Sequence, residues 1–393
     1  MHSRLKLIRP IFGALLLFIF YFLTSPFLDR PGQYDFREYW SAYRLLSLGI
    51  DSYSPSIMLK FQREHFDMNA PLMMWNPPWL LIFMYPVLAL DFEFASEIWI
   101  FVQIVLYLFS FHLLMEIYQK TGSDLPHYLF LFLCSLCFPP VLQSIYIGQI
   151  GVFLLFGSVL SLFGLVRGSM IYFIPGVLIM STKPHLFLLF GGVLLWYLIK
   201  RKLWIWISLS VFSLFILFLM SELLFPGSML FWINSFSSSR SSDLVPSVYQ
   251  WLGSNFGSAL RGYVSSDLSY VNFILPPVLV LLSVSCLVLK SPRINWAFLG
   301  PPLFAVSVFF SPFGWFFDQA VLFSLYFFIL SSIFSYQKWF FAGVLLGLQL
   351  FTCLFVRFWA TTHLEVFWYA PVMIILWYLA CYRPMVGNSM RNQ

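Results

Sequence analysis

An all-α bundle of about twelve membrane-spanning helices, with amphipathic juxtamembrane helices on its outer side, is the fold class this 393-residue chain predicts. Three observations predict it. Hydrophobic residues make up 60% of the chain and charged residues only 10%, where a soluble domain carries about a quarter charged residues. The few charges cluster between long apolar runs, as a bilayer with hydrated edges requires. An aromatic content of 21% supplies interfacial belts and lipid-facing Phe. The whole of 1–393 reads as one integral membrane domain, without a soluble domain, a nucleotide-binding glycine motif or a strong internal repeat.

The first span is expected at about Pro10 to Leu28, after a basic start containing Arg4, Lys6 and Arg9. No small-residue cleavage site follows it, so it reads as a retained anchor with its N-terminus inside. Loop 1, residues 29–76, then lies outside. It carries two amphipathic helices, Phe36 to Leu48 and about Ser56 to Met68, separated by the turn from Gly49 to Pro55. Phe36, Tyr39, Trp40, Tyr43 and Leu46 fall at helical spacing and are expected to dip into the membrane interface. Residues 77–91 are short and Pro-bounded, which suits an interfacial or re-entrant helix. Further spans are expected near 94–118, 126–142, 149–166, 170–182, 184–199, 203–225, 271–289, 294–311, 316–335, 339–357 and 364–382. A second long polar segment, 226–270, is rich in Ser.

This registration sorts the charges. Thirteen of the 22 basic residues but only two of the 16 acids fall inside, leaving nine basic residues and fourteen acids for the outer side and outer membrane half. That is the asymmetry expected when Lys and Arg collect on the cytoplasmic face. Both termini are then cytoplasmic, in a plasma (inner) membrane, and the two polar segments make the functional surface face outward. The net charge of +6 does not point to nucleic acid, because the basic residues sit at the ends of apolar runs rather than along one face. Five cysteines lie in or beside apolar runs and read as small membrane hydrophobes, Cys134 and Cys137 included.

Six short motifs follow in order: an Asp after the first span in D-F-x-x-Y-W-x-A (Asp35 to Ala42), then G-I-D-S-Y-S (Gly49 to Ser54), N-P-P-W-L-L-x-x-x-x-P (Asn76 to Pro86), I-G-Q-I-G (Ile147 to Gly151), S-T-K-P-H (Ser181 to His185) and S-P-F-G-W-F-F-D (Ser311 to Asp318). Together they resemble glycosyltransferase family 87, membrane mannosyltransferase-like enzymes of the GT-C class. The resemblance implies transfer of a sugar, commonly mannose, from a polyprenyl-phosphate carrier to a lipid or glycan acceptor hydroxyl at the outer membrane face, with inversion. Such chemistry needs a base, a cationic or hydrogen-bonding site for the departing phosphate, and a groove open to membrane lipids.

Asp35 matches the family's base, although a helix N-cap is the plainer use of an Asp at that place. Glu38, one turn on, orients it or pairs with Arg37. Asp51 and Tyr53 fit an Asx-type turn that fixes the loop. Lys183 interrupts an apolar run and suits a lipid phosphate, against the alternative that it snorkels to water. His185 beside it is placed to donate to the same phosphate or to a sugar hydroxyl. Gln149 reads equally as a sugar ligand or as a polar turn. Asp318 orients the acceptor, acts alongside Asp35, or caps a helix; many family members carry a histidine near this point where this chain has Phe317-Asp318. Arg261 and Arg240 reach phosphate from the acceptor side or serve surface pairing. No Cys or His cluster has metal-ligand spacing, and a monophosphate carrier needs no metal escort, so no cofactor and metal independence are expected. A transporter or flippase is the competing class, since the broken span at Lys183-Pro184 and the scattered outer acids could line a path.

Overall fold

A computed structural model describes residues 33–118, 131–136, 138–238, 244, 253–264, 271, 274–275, 278–279, 281–283, 294–335, 339–358 and 363–382. The expected first span, Cys137, Arg240 and most of the expected 271–289 span lie outside the described residues. Within them every regular element is a helix. In chain order these are α1 (Phe36–Ser47), α2 (Pro55–Phe66), α3 (Leu80–Leu88), α4 (Phe92–Tyr118), α5 (Pro139–Ile147), α6 (Gly151–Arg167), α7 (Met170–Met180), α8 (Leu188–Lys200), α9 (Trp204–Leu224), α10 (Ser228–Ser238), α11 (Phe256–Tyr263), α12 (Trp296–Phe309), α13 (Phe323–Ser335), α14 (Trp339–Phe358) and α15 (Tyr369–Trp377). Short 3₁₀ turns, Pro184–Phe187, Phe316–Leu322 and His363–Val366, precede α8, α13 and α15.

Four helical stretches among the described residues have the length and apolarity to cross a bilayer: Phe92–Tyr118, Trp204–Leu224, Phe316–Ile333 and His363–Ala380. Five shorter apolar helices accompany them. An all-α membrane bundle is thus present, while a count of twelve crossings goes beyond these elements. Nearly all residues of Phe316–Ile333 are buried and this stretch forms the centre, whereas few of Trp204–Leu224 are buried and it forms an apolar rim. A rim of exposed Phe, Leu and Ile with almost no charge is stable only against lipid.

Loop 1 forms its two helices close to the expected limits. Residues 77–91 give α3, nine residues and so about 13 Å long, too short for a hydrocarbon core of about 30 Å. One expectation is corrected. Phe36, Tyr39, Trp40, Tyr43 and Leu46 do not dip into lipid; all are buried within the protein, against α3, α4 and the residues that precede α6. Their polar atoms explain the preference, because a phenol or indole in the bilayer lacks partners. Here Tyr39 Oη donates to Gln149 Oε1 at 2.6 Å, and Trp40 Nε1 donates to the Leu90 carbonyl at 3.1 Å. The expected 126–142 span is also revised at its end: Pro139 and Pro140 start the separate helix α5, since proline lacks the N–H that a continuing helix needs.

The bundle has two chemically different ends. At one, Asp35, Gln149, Lys183, Ser254, Asp318 and His363 come together through contacts described below. At the other, Arg167 meets Glu116 at 3.5 Å, Tyr118 Oη donates to the Ala297 carbonyl, and α8 runs out at Lys200.

Candidate active site

Asp35 precedes the first turn of α1 at the N-cap position, yet its carboxylate makes no capping bond. Its backbone N–H donates to the Ile147 carbonyl at 2.8 Å, docking the start of α1 on the end of α5. The side chain turns to Gln149, whose Nε2 donates to Asp35 Oδ2 at 2.9 Å and to Glu38 Oε1 at 3.1 Å. With Tyr39 bonded to its oxygen, the Gln149 amide is fixed at both ends. The I-G-Q-I-G motif shapes this approach. Gly148 ends α5 at φ 83°, a left-handed conformation that glycine adopts without penalty. A Cβ on Gly151 would stand 2.3 Å from the Phe317 carbonyl oxygen, so only glycine lets α6 start against that strand of backbone.

Burial penalises the charged form of both acids. It lifts Asp35 to about 6; the Gln149 hydrogen bond and the charge of Lys183 pull the other way, and Asp318 adds to the rise. Burial, reinforced by the charge of Asp35, lifts Glu38 to about 8. At neutral pH the pair therefore holds one negative charge, on Asp35, the less buried of the two residues. A pairing of Glu38 with Arg37 is not what forms; Arg37 lies over the Phe66 ring instead.

Lys183 and Asp318 meet in a buried ion pair. Nζ donates to Oδ1 at 2.7 Å and to Oδ2 at 2.9 Å, with Asp318 fully buried and Lys183 7% exposed. The ammonium also lies 5.1 Å from the Trp315 ring centroid and 5.2 Å from that of Phe317. Asp318 additionally accepts the Trp315 backbone N–H at 3.0 Å, so the capping role is real and coexists with the pair. Lys183 does not snorkel to water. Two of its three ammonium protons are used on Asp318, leaving one for a further acceptor.

The other motifs hold this pair in place. Asn76 Nδ2 donates to the Thr182 carbonyl at 3.0 Å, and Trp79 Nε1 donates to Ser181 Oγ at 3.1 Å. Asp51 accepts the Tyr53 backbone N–H at 2.9 Å, the expected Asx turn, and Tyr53 Oη then donates to the Asn76 carbonyl at 2.8 Å. Asp51 and Tyr53 thereby act as supports for the Lys183 segment. His185 stacks edge-on with Phe313 at 5.7 Å, and its buried Nε2 has no hydrogen-bond partner. From the Ser-rich segment, Asn255 Nδ2 donates to the Ser311 carbonyl at 3.1 Å and Gln319 Nε2 donates to the Ser254 carbonyl at 2.8 Å, so α11 covers the Ser311–Trp315 turn. Arg261 is buried on that helix and bonds Ser258 Oγ at 3.1 Å.

His363 is a site residue that the sequence reading missed. Its Nδ1 accepts the Phe316 backbone N–H at 3.3 Å and its ring sits edge-on to Phe317. It thus occupies the neighbourhood where the family resemblance leads one to look for a histidine, but arrives from an element 45 residues further along the chain. Only a His at the start of the last apolar run hinted at it.

Among the described residues no three of His, Cys, Asp and Glu converge as metal ligands. Asp318 presents both oxygens to Lys183, and Asp35 and Glu38 face an amide N–H₂. The arrangement provides a carboxylate with a raised proton affinity, beside a cation held in an aromatic and acidic cage.

Comparison with protein-family models matches residues 75–290 to glycosyltransferase family 87. No curated protein and no solved structure matches the chain. The matched stretch contains Asn76, Gln149, Lys183 and Arg261; Asp35 and Asp318 lie outside it and join it through Gln149 and Lys183.

Proposed function

The chain belongs to glycosyltransferase family 87 and is a membrane glycosyltransferase; on that premise we propose that it moves a hexose, mannose first among the candidates, from a polyprenyl-phosphate carrier to a hydroxyl of a lipid or glycan acceptor at the outer membrane face. The reaction is a single displacement. The acceptor oxygen attacks the anomeric carbon as the bond to the carrier phosphate breaks, the configuration inverts, and the acceptor proton passes to Asp35. The polyprenyl phosphate leaves with the electron pair. Lys183 offers its remaining N–H to that phosphate, and His185 is the adjacent second donor. Asp318 holds the ammonium, while Glu38 and Gln149 orient the base. No metal or other cofactor is required for departure of a monophosphate.

The observation that carries this reading is the side chain of Asp35: an N-cap residue that does not cap and is held instead by Gln149. General-base assistance contributes about 10²–10⁴-fold to rate. The full-length protein in lipid nanodiscs, given polyprenyl-phosphate mannose and a mannoside acceptor, should therefore turn over, and Asp35→Asn should lower kcat by at least about 10²-fold with an unchanged gel-filtration profile. Undiminished turnover by Asp35→Asn would remove Asp35 as the base. Uptake of substrate into liposomes without transfer would favour a transporter.

A further inference from the structure

A cavity of about 1020 Å³ opens on the other flank of α1, between that helix, α2 and the start of α4. It begins beside the candidate base, because Tyr34 and Arg37 bracket Asp35 and both line it, as does Ile147, whose carbonyl takes the Asp35 N–H. Its polar lining is mixed. Gln33, Arg37, His65, Asp91 and Glu93 share it with aromatic Tyr34 and Tyr146, which are 58% and 42% exposed.

Arg37 is the unusual member. Its Nε is buried without a hydrogen-bond partner, and Nη1 has only the thioether of Met68, a weak acceptor, at 3.4 Å. No carboxylate among the described residues pairs with it, although Asp91 and Glu93 line the same cavity. Guanidinium groups are rarely left this way, since each buried unpaired donor carries a desolvation cost. Nε is sealed in the wall, so a ligand with oxygen acceptors would meet this residue through the guanidinium N–H groups that face the cavity.

The lining discriminates between ligand classes. A lipid tail would lie against Arg37, Asp91 and Glu93, which gain nothing from it and lose their water. A phosphate would meet Arg37 but also two carboxylates. A neutral polyhydroxylated ring suits this lining: Gln33 Nε2 already donates to Glu93 Oε2 at 2.6 Å and to Ser96 Oγ at 3.4 Å, so ring hydroxyls donate to Asp91 and to the Gln33-bound Glu93 carboxylate and accept from Arg37, and exposed tyrosine faces take the apolar C–H side of the ring. The volume lies at the upper end of the roughly 300–1,000 Å³ of small-molecule sites, room for more than one sugar ring. We infer that this cavity is the acceptor subsite and that the acceptor is a glycan, seated at the start of α1 with its reactive hydroxyl reaching round that helix end to Asp35. The subsite assignment rests on the transferase reading; glycan binding by the cavity does not.

The test separates the two. The full chain in phosphatidylcholine nanodiscs is titrated with α-mannobiose, maltose and galactobiose in the absence of donor, with saturation-transfer NMR as readout. At least one disaccharide should bind, Arg37→Gln and Glu93→Gln should each weaken it about tenfold, and Arg167→Ala, at the opposite end of the bundle, should leave it in place. With donor present, Arg37→Gln should raise the acceptor KM by a similar factor and leave the donor KM alone. Binding that follows this pattern in a protein without transferase turnover sustains the glycan site and rejects the transferase reading. Turnover that stops with Asp35→Asn, while Arg37→Gln and Glu93→Gln, folded by circular dichroism, change neither disaccharide affinity nor acceptor KM, overturns the subsite. Failure of all three disaccharides to bind overturns it as well.

Discussion

The two ends of the bundle use the same kinds of residue to opposite effect. At the end that holds Asp35, an ion pair between Lys183 and Asp318 is sealed from solvent at 2.7 Å, and an amide ties two carboxylates across more than 110 residues of chain. At the other, Arg167 and Glu116 approach to 3.5 Å with side chains 51% and 33% exposed, and His112 reaches Glu116 at 3.6 Å. Exposed pairs form and break at little cost, so they record only that two charged segments end near each other. Buried ones have lost their hydration and persist only when every proton and lone pair is placed. Charge at one end of this molecule is fixed equipment; at the other it marks a hydrated edge.

That contrast is broken most severely at Lys183. Lys183→Met leaves Asp318 charged and buried with only the Trp315 N–H for company, a loss expected to cost about 3–5 kcal/mol. Thermal unfolding in detergent should show it as a large fall in Tm. The double variant Lys183→Met with Asp318→Leu should recover most of the stability, because removing both charges removes the unpaired one, and should remain inactive because the cation is gone. A double variant that regains turnover would make the pair purely structural.

The next effect is on the pH dependence of turnover. Asp35, lifted to about 6, works as a base only when ionised, so kcat/KM should fall about tenfold per pH unit below about 6, well above the usual carboxylate range. Above about 8 Glu38 also ionises beside it, and the repulsion should loosen the Gln149 bridge and lower activity again. Gln149→Leu removes a hydrogen bond that favours the charged form of Asp35, so its acid limb should move to higher pH. A limb that stays in place in this variant would show that the bridge does not tune the base.

The local parts of this design were legible in the sequence, and the long-range parts were not. Helical periodicity and Pro-Gly punctuation are written in consecutive residues, so α1, α2, the short α3 and the break at Thr182-Lys183-Pro184 could be read directly. Amphipathicity, however, says that a face is buried without saying in what, which is why the apolar side of α1 suited lipid as well as the protein core that it meets. Gln149 could be seen as a polar residue in a turn, but its three partners lie 110, 111 and 114 residues away. Lys183 and Asp318 were each singled out, and their pairing across 135 residues was invisible. His363 was overlooked because its relation to Phe316 and Phe317 exists only once the last two spans are packed.

The smallest effect belongs to the opposite end, and it is the control that gives the others meaning. Arg167 makes its contacts to Glu116 at 3.4 and 3.5 Å, the long limit of hydrogen bonding, and its guanidinium also rests 5.3 Å from the Phe163 ring. An exposed pair of this geometry is worth about 0.2–1 kcal/mol, and salt screens much of that. Arg167→Ala should therefore lower Tm by a small amount that shrinks further in high salt, and turnover should match the parent protein across the pH range. The salt dependence is decisive. Screening acts on charges that water can reach, so the Arg167 effect should fade with salt while the Lys183→Met effect should hold nearly constant. Equal salt sensitivity at both positions would mean that Lys183 and Asp318 are solvated in the working protein, and the distinction between the two ends would disappear.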